Sequence, residues 1–347
     1  MHLILKTIVY LSLLLITSNI LINDKNALLN DKKDVKPLKN SIVFIAGFDK
    51  DENQYYNNAR TYFKQKNYTI IEDTYSLEAI INWLNKNENE TYFSEIHIVN
   101  HSNPWRGMSL KTIKNGERIT TETLQKSLKD GDLQELNKKG IQHTNIIFHS
   151  CGLGENKDLL QVLKTAFSNN ETPNIIASPY FNIFDGTLNN HYLAKPYYVF
   201  YPTSKSPGKT DLSKEIAKKY PNEKQINWLQ SLQNKRENYV GEPYNYQFNI
   251  PIQWEFDFNN SSEIIPTFNT DDEIMDWIID KEEISRELLK LHIPIEKYRW
   301  NYKVKNNKLI ILGKTTVICV LKPITTKKET VKHVLASTKN TDLYIKI

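Results

Sequence analysis

Two apolar runs in this chain end on residues able to do nucleophilic chemistry. "SEIHIVN" (94–100) leads into His101, and "TNIIFHS" (144–150) leads into Cys151. A thiol attacks as its thiolate, so it needs a base or a positive field to draw off its proton. His101 is the candidate base. The start of a helix expected just beyond Gly154 and Glu155 is the candidate field, and Gly152 and Gly154 allow a sharp turn and close backbone approach to a substrate.

Such a pair works only if the elements around it bring the two run ends together. "SIVFIAG" (41–47) is a β-branched run closed by glycine, as expected of a strand covered on both faces. A helix is expected over 52–67, with Tyr55, Tyr56, Ala59, Tyr62 and Phe63 on one face. Then follow a strand at 68–71, a helix at 76–87, the strand ending at 100, a helix at 120–131, the strand ending at 150, a helix at 156–167 and a strand at 173–179. Strands alternating with helices imply an α/β fold with a mostly parallel sheet and helices on both faces. These sheets carry their reactive groups beyond the carboxyl ends of the strands, where His101 and Cys151 fall.

The alternation is lost after Gly241-Glu242-Pro243. A strand over 246–258, one or two helices over 270–293 and a meander turning at Asn306-Asn307 and Gly313-Lys314 make a smaller α+β extension, 241–347, with the domain boundary near 240. Residues 197–203 add a strand, and 211–220 and 223–234 read as helical.

Composition sets further bounds. Of 347 residues, 45 are basic and 40 acidic, giving a net charge of +5, with no basic stripe interleaved with aromatics; nucleic acid is not the expected partner. The two cysteines exclude a disulfide framework, and Cys319, in "TTVICVLKPI", reads as a buried strand residue. Lys6 precedes an apolar run from Ile8 to Ile16 and then small polar residues, the layout of a signal peptide or membrane anchor over 1–22, with a polar linker over 23–40. An exported, extracytoplasmic protein is expected. No phosphate loop or metal motif occurs, and no cofactor is called for.

The motif pair resembles that of the caspase-like cysteine peptidases, clan CD. In these a hydrophobic strand ends in histidine, and about 50 residues later another ends in a small residue and cysteine. Here "IHIVNHS" and "NIIFHSCGLG" carry the likeness, with 50 positions from His101 to Cys151. Together with "GMSL", "NGERIT" and "NIIASPYFNIFDG", the segment of roughly 40–190 resembles bacterial members of the CHAT type. The resemblance implies a caspase-like domain over 41–240 and hydrolysis of a peptide or protein substrate through an acyl-enzyme. In it Cys151 is the nucleophile, His101 the general base and acid, and the backbone N–H groups of Cys151 and Ser102 the oxyanion donors. The family usually has glycine where Ser102 stands. Loops after the first and fifth strands would build the substrate pocket, offering Asp49, Asp51, Glu52 and Asp185; an acidic Asp185 there would favour a basic side chain.

Other readings of the same residues stay open. "FHSCG" (148–152) and "NHSNP" (100–104) each echo the nucleophile elbow of serine α/β-hydrolases, with Asp185 and His191 following Ser150 in order, although Phe148 is too large for the strained turn in the first and Asn100 with Pro104 weakens the second. His101, His149 and Cys151 could share a metal, without a fourth ligand. The fold could also serve as a non-catalytic binding or scaffold module. His97 reads as a packing residue.

Overall fold

The computed structural model describes residues 41–51, 53–87, 93–137, 141–185, 189–258 and 264–347. The expected export segment and linker, 1–40, lie outside them.

Strand β1 (Ser41–Ala46) is buried along its whole length. Its side chains divide between two cores: Ile42, Phe44 and Ala46 on one face, Val43 and Ile45 on the other. Helix α1 (Gln54–Gln65) starts where the Asn53 side chain accepts the Tyr55 N–H, and it buries Tyr56, Ala59 and Phe63. Strand β2 (Thr69–Thr74) is followed by α2 (Leu77–Lys86), capped by Ser76 and packed through Leu77, Ile80, Ile81 and Leu84. Next come β3 (Glu95–Val99), the short pair β4 (Ser102–Asn103) and β5 (Gly107–Met108), and α3 (Thr121–Lys129). Strand β6 (Asn145–His149), α4 (Lys157–Ala166) and β7 (Asn174–Ala177) complete the unit. The strands lie parallel in the order β7-β6-β3-β1-β2. Helices α2, α3 and α4 cover one face and α1 the other, so the chain is α/β with a parallel-rich sheet between helices.

A second sheet begins before residue 190. Strands β8 (Phe181–Asp185), β9 (Asn189–Tyr201), β10 (Tyr244–Asp257), β11 (Arg299–Lys305) and β12 (Lys308–Pro323) pair antiparallel, in the order β10-β12-β9-β8 with β11 also on β12. It therefore takes strands from both sides of residue 240. Helices α5 (Lys209–Lys219) and α6 (Trp228–Gln233) cover one face through Leu212, Ile216, Trp228 and Leu232. Helices α7 (Asp271–Ile279) and α8 (Glu282–Leu291) cover the other through Ile274, Ile278, Ile284 and Leu288.

One expected turn forms and one does not. Asn306 and Asn307 both take left-handed backbone angles and join β11 to β12. Gly313-Lys314 is instead the middle of β12, which runs unbroken for 16 residues. Glycine is there for close packing: a Cβ would fall 2.6 Å from the Trp300 ring and 2.7 Å from the Ile252 side chain. The chain ends by returning to the first sheet, where β13 (Ile345–Lys346) pairs antiparallel with β7.

Candidate active site

The interval between the histidine and the cysteine is a matter of strand register. Neighbours β3 and β6 pair in parallel, residue 95 with 145 and so on to Val99 with His149. An offset of 50 carried two residues further sets His101 beside Cys151, beyond the carboxyl ends of both strands. Both residues, with Ser102, border one cavity of about 600 Å³. Its far wall is β10, with Tyr244, Tyr246, Phe248 and Asn249.

Aromatic packing and hydrogen bonds hold His101. Its ring stacks on Tyr55, with centroids 4.5 Å apart, and meets the edge of Tyr56 at 4.9 Å. Its backbone N–H donates to the Tyr56 hydroxyl at 3.0 Å, and that hydroxyl donates to Asp49 at 2.8 Å. Its carbonyl accepts from Ser109 N–H at 2.7 Å and from Asn100 Nδ2 at 2.8 Å. Burial holds the imidazole below its ordinary pKa, with Asp49 opposing and Arg118 adding to the shift. The ring is therefore neutral at pH 7. Its Nε2 is buried with no hydrogen-bond partner among the described residues.

Cys151 is 7 % exposed, and its thiol donates to the carbonyl of Asn182 at 3.8 Å rather than to His101. Burial pushes the thiol up to about 12. Cys151 does not sit at the start of the helix expected to lower it. A short 3₁₀ turn, Leu153–Glu155, separates Cys151 from α4, and the Asn156 side chain takes the Leu159 N–H at the start of that helix. The glycines behave as their positions require. Gly152 has φ +70°, and a Cβ on Gly154 would lie 2.6 Å from the backbone of Ser178 and Pro179. Both cysteines are free.

Ser102 lies opposite Met108 in the two-residue ladder, next to the Ser109-to-His101 bond, so its own N–H points away from β5. Ser102 and Cys151 border the same cavity, and neither backbone N–H makes a hydrogen bond among the described residues. Asp185 closes β8 opposite Asn189; its side chain lies outside the described residues, as does Glu52. Trp105 leaves the cleft for the second sheet: it packs on Tyr198, Phe200 and Phe248, and its Nε1–H donates to the Leu291 carbonyl at 2.9 Å.

The competing constellations are drawn elsewhere. The Ser150 hydroxyl, fully buried, donates to Asn100 Oδ1 at 2.6 Å. His149 lies 2.9 Å from His97 through ring nitrogens, and His97 in turn contacts Glu95 at 3.3 Å. His191 contacts Asn182 Oδ1 at 3.0 Å. Among the described residues no three His, Cys, Asp or Glu side chains are grouped to hold a metal ion. His97 is a packing residue, buried against Phe63 and Tyr68.

Sequence reasoning missed Asn182, which touches the thiol, and the Asn100–Ser150 bond that ties the two strand ends. It also missed three cations bordering the cavity, Arg118, Lys235 and Arg236, which join Arg106 just past the histidine. No local pattern marks them, because each lies in a loop away from the two motif strands. No family model, no curated protein and no solved structure matches this chain.

Proposed function

We propose that the chain is a cysteine peptidase with a caspase-like α/β unit, Cys151 its nucleophile and His101 its general base and acid. The observation that carries this reading is the shared cavity: a thiol and a neutral imidazole on matching ends of neighbouring strands, beside two uncommitted backbone amides.

The thiol starts protonated, so attack and proton transfer go together. Sulfur bonds to the substrate carbonyl carbon as its proton passes to His101, and the carbonyl π electrons move onto oxygen. In this reading the amides of Cys151 and Ser102 receive that oxyanion. Collapse breaks the C–N bond, and the leaving amine takes the proton from the imidazolium. A water, deprotonated by His101, then attacks the thioester, and the released sulfur regains a proton. Substrate entry has to turn the thiol from the Asn182 carbonyl, which makes the described arrangement a resting one.

A peptidyl acyloxymethyl ketone panel tests this. Adduct mapped to Cys151 in the unaltered protein, and lost in His101→Ala, supports the peptidase. Fluorophosphonate adduct on Ser150 or Ser102 instead would replace it with a serine hydrolase. The thiol's tie to Asn182 favours a second reading, a binding module, and absence of any adduct would select it.

A further inference from the structure

We propose that His333, near the end of the chain, is a positioning residue for the Cys151 cavity, acting on the cavity wall through Glu237, Tyr192 and Tyr244. This rests on the peptidase reading and adds to it the element that shapes its cleft.

Residues 324–344 carry the chain from the second sheet back to the first. Ile324 N–H donates to Leu193 O of β9 at 2.9 Å, and Val334 N–H returns to Ile324 O at 2.8 Å. Between them Thr325 bridges His333, so the stretch folds back on itself. Its far end is fixed by Leu343 and Tyr344, buried with Ile147 and Ile176 of the first sheet. His333 is thus delivered by a segment anchored in both sheets. It meets the loop 234–243, which joins α6 to β10.

The meeting point is a buried carboxylate. The Glu237 side chain is 2 % exposed and that of His333 1 %. One Glu237 oxygen accepts from His333 Nε2 at 2.9 Å and from the Gly241 N–H at 2.7 Å, and the other accepts the Tyr192 hydroxyl at 2.7 Å. The His333 ring stacks on Tyr192, with centroids 3.8 Å apart. Gly241, at φ +92°, lies against the same returning segment: a Cβ there would fall 3.0 Å from the Thr325 methyl. A carboxylate taken out of water depends on such donors, because each one lost leaves charge buried without compensation.

What this carboxylate holds is a wall of the cavity. Lys235 and Arg236, just before Glu237, border the Cys151 cavity, and so does Tyr244, where the loop ends. Tyr192 gives its one hydroxyl proton to Glu237, so its oxygen accepts from the neighbouring Tyr244 hydroxyl. Burial pushes both phenols up, and both keep their protons. The relay ends on the Tyr244 ring, which shares an apolar cluster with Cys151. His101, by contrast, is held by Tyr55, Tyr56, Asn100 and Ser109, none of which belongs to the relay. Loss of His333 therefore alters how the cleft fits a substrate and leaves proton transfer alone.

Peptidyl acyloxymethyl ketone labelling of Cys151 in the full chain, followed against ketone concentration, separates fit from chemistry. His333→Phe keeps a ring over Tyr192 and removes the donor; the half-saturating concentration should rise about tenfold while the maximal rate stays unchanged. His333→Gln, which restores an N–H donor, should recover most of that loss. Tyr192→Phe should reproduce the rise, and the double variant should be no worse than either single one, since both cut the same relay. Should His333→Phe misfold, Tyr192→Phe carries the comparison. An unchanged half-saturating concentration in the folded variants, a fall in maximal rate, or additive effects in the double variant overturns the proposal. Hydrogen exchange separates the two readings: His333→Phe should speed exchange of amides over 234–243 and leave those over 98–110 unchanged. That pattern without any adduct keeps the relay and sinks the peptidase, whereas adduct without that pattern does the reverse.

Discussion

Ser150 donates its hydroxyl to Asn100 at 2.6 Å, a buried bond between the last residues before Cys151 and His101. Asn100 also donates to the His101 carbonyl at 2.8 Å. One side chain therefore ties the two strand ends together and holds the loop that carries the imidazole.

Asn100→Ala should cost about 1–3 kcal/mol of stability, because it leaves the Ser150 hydroxyl buried without its acceptor. Urea unfolding measures this. Peptide-ketone labelling of Cys151 should slow along with it, and Ser150→Ala, which removes the donor but keeps the Asn100 bond to His101, should slow labelling less. Equal stability in wild type and Asn100→Ala would mean the bond holds nothing.

The two glycines after Cys151 should respond unequally. Gly152→Ala meets only backbone strain, as its nearest neighbours would be 3.8 Å away, and should cost about 1–2 kcal/mol. Gly154→Ala drives a methyl to 2.6 Å from the backbone of Ser178 and Pro179 and should cost more. Comparison of denaturation midpoints decides the order.

Acid should weaken the fold below about pH 6.5, the ordinary histidine value. Burial, with neighbouring imidazoles adding to it, holds His149 well below that value, and burial takes His191 to about 3. Above pH 6.5 the folded and unfolded chains are both neutral at these sites, and no penalty exists. As pH falls the unfolded chain takes up protons that the fold refuses, so stability drops toward about pH 3, by about 1.4 kcal/mol per pH unit for each such proton. Urea melts at pH 7.5, 6 and 5 measure the slope, and His191→Phe should flatten it. A slope unchanged in that variant would exclude His191 as a source.

Small thiol reagents should react slowly with the native protein. With the Cys151 thiol pushed up to about 12 and Cys319 fully buried, iodoacetamide at pH 7.5 should modify both far more slowly than it does free cysteine. Peptidyl ketones that occupy the cleft should label Cys151 much faster than iodoacetamide does. Rapid iodoacetamide labelling of Cys151, followed by mass spectrometry, would show the thiol to be activated before substrate arrives.

The α/β unit was legible in the chain because its central strands are buried on both faces and its helices carry a clear apolar stripe. In β1 six consecutive buried residues leave one reading open. The β10–β12 region was harder. Gly313 looks like a turn residue, and only the Trp300 and Ile252 side chains lying over it reveal a strand. Those side chains reach it from separate strands on either side of β12, which no window around residue 313 contains.

By itself, the sequence determined the alternation of strands and helices and the placing of His101 and Cys151 at apolar run ends, because burial periodicity is written in local residue order. Tertiary structure alone decided the register that sets those ends side by side, the Asn182 carbonyl that holds the thiol, and the cations around the cleft. These depend on contacts between residues 30 to 150 positions apart, and their energies exist only after the chain has closed those distances.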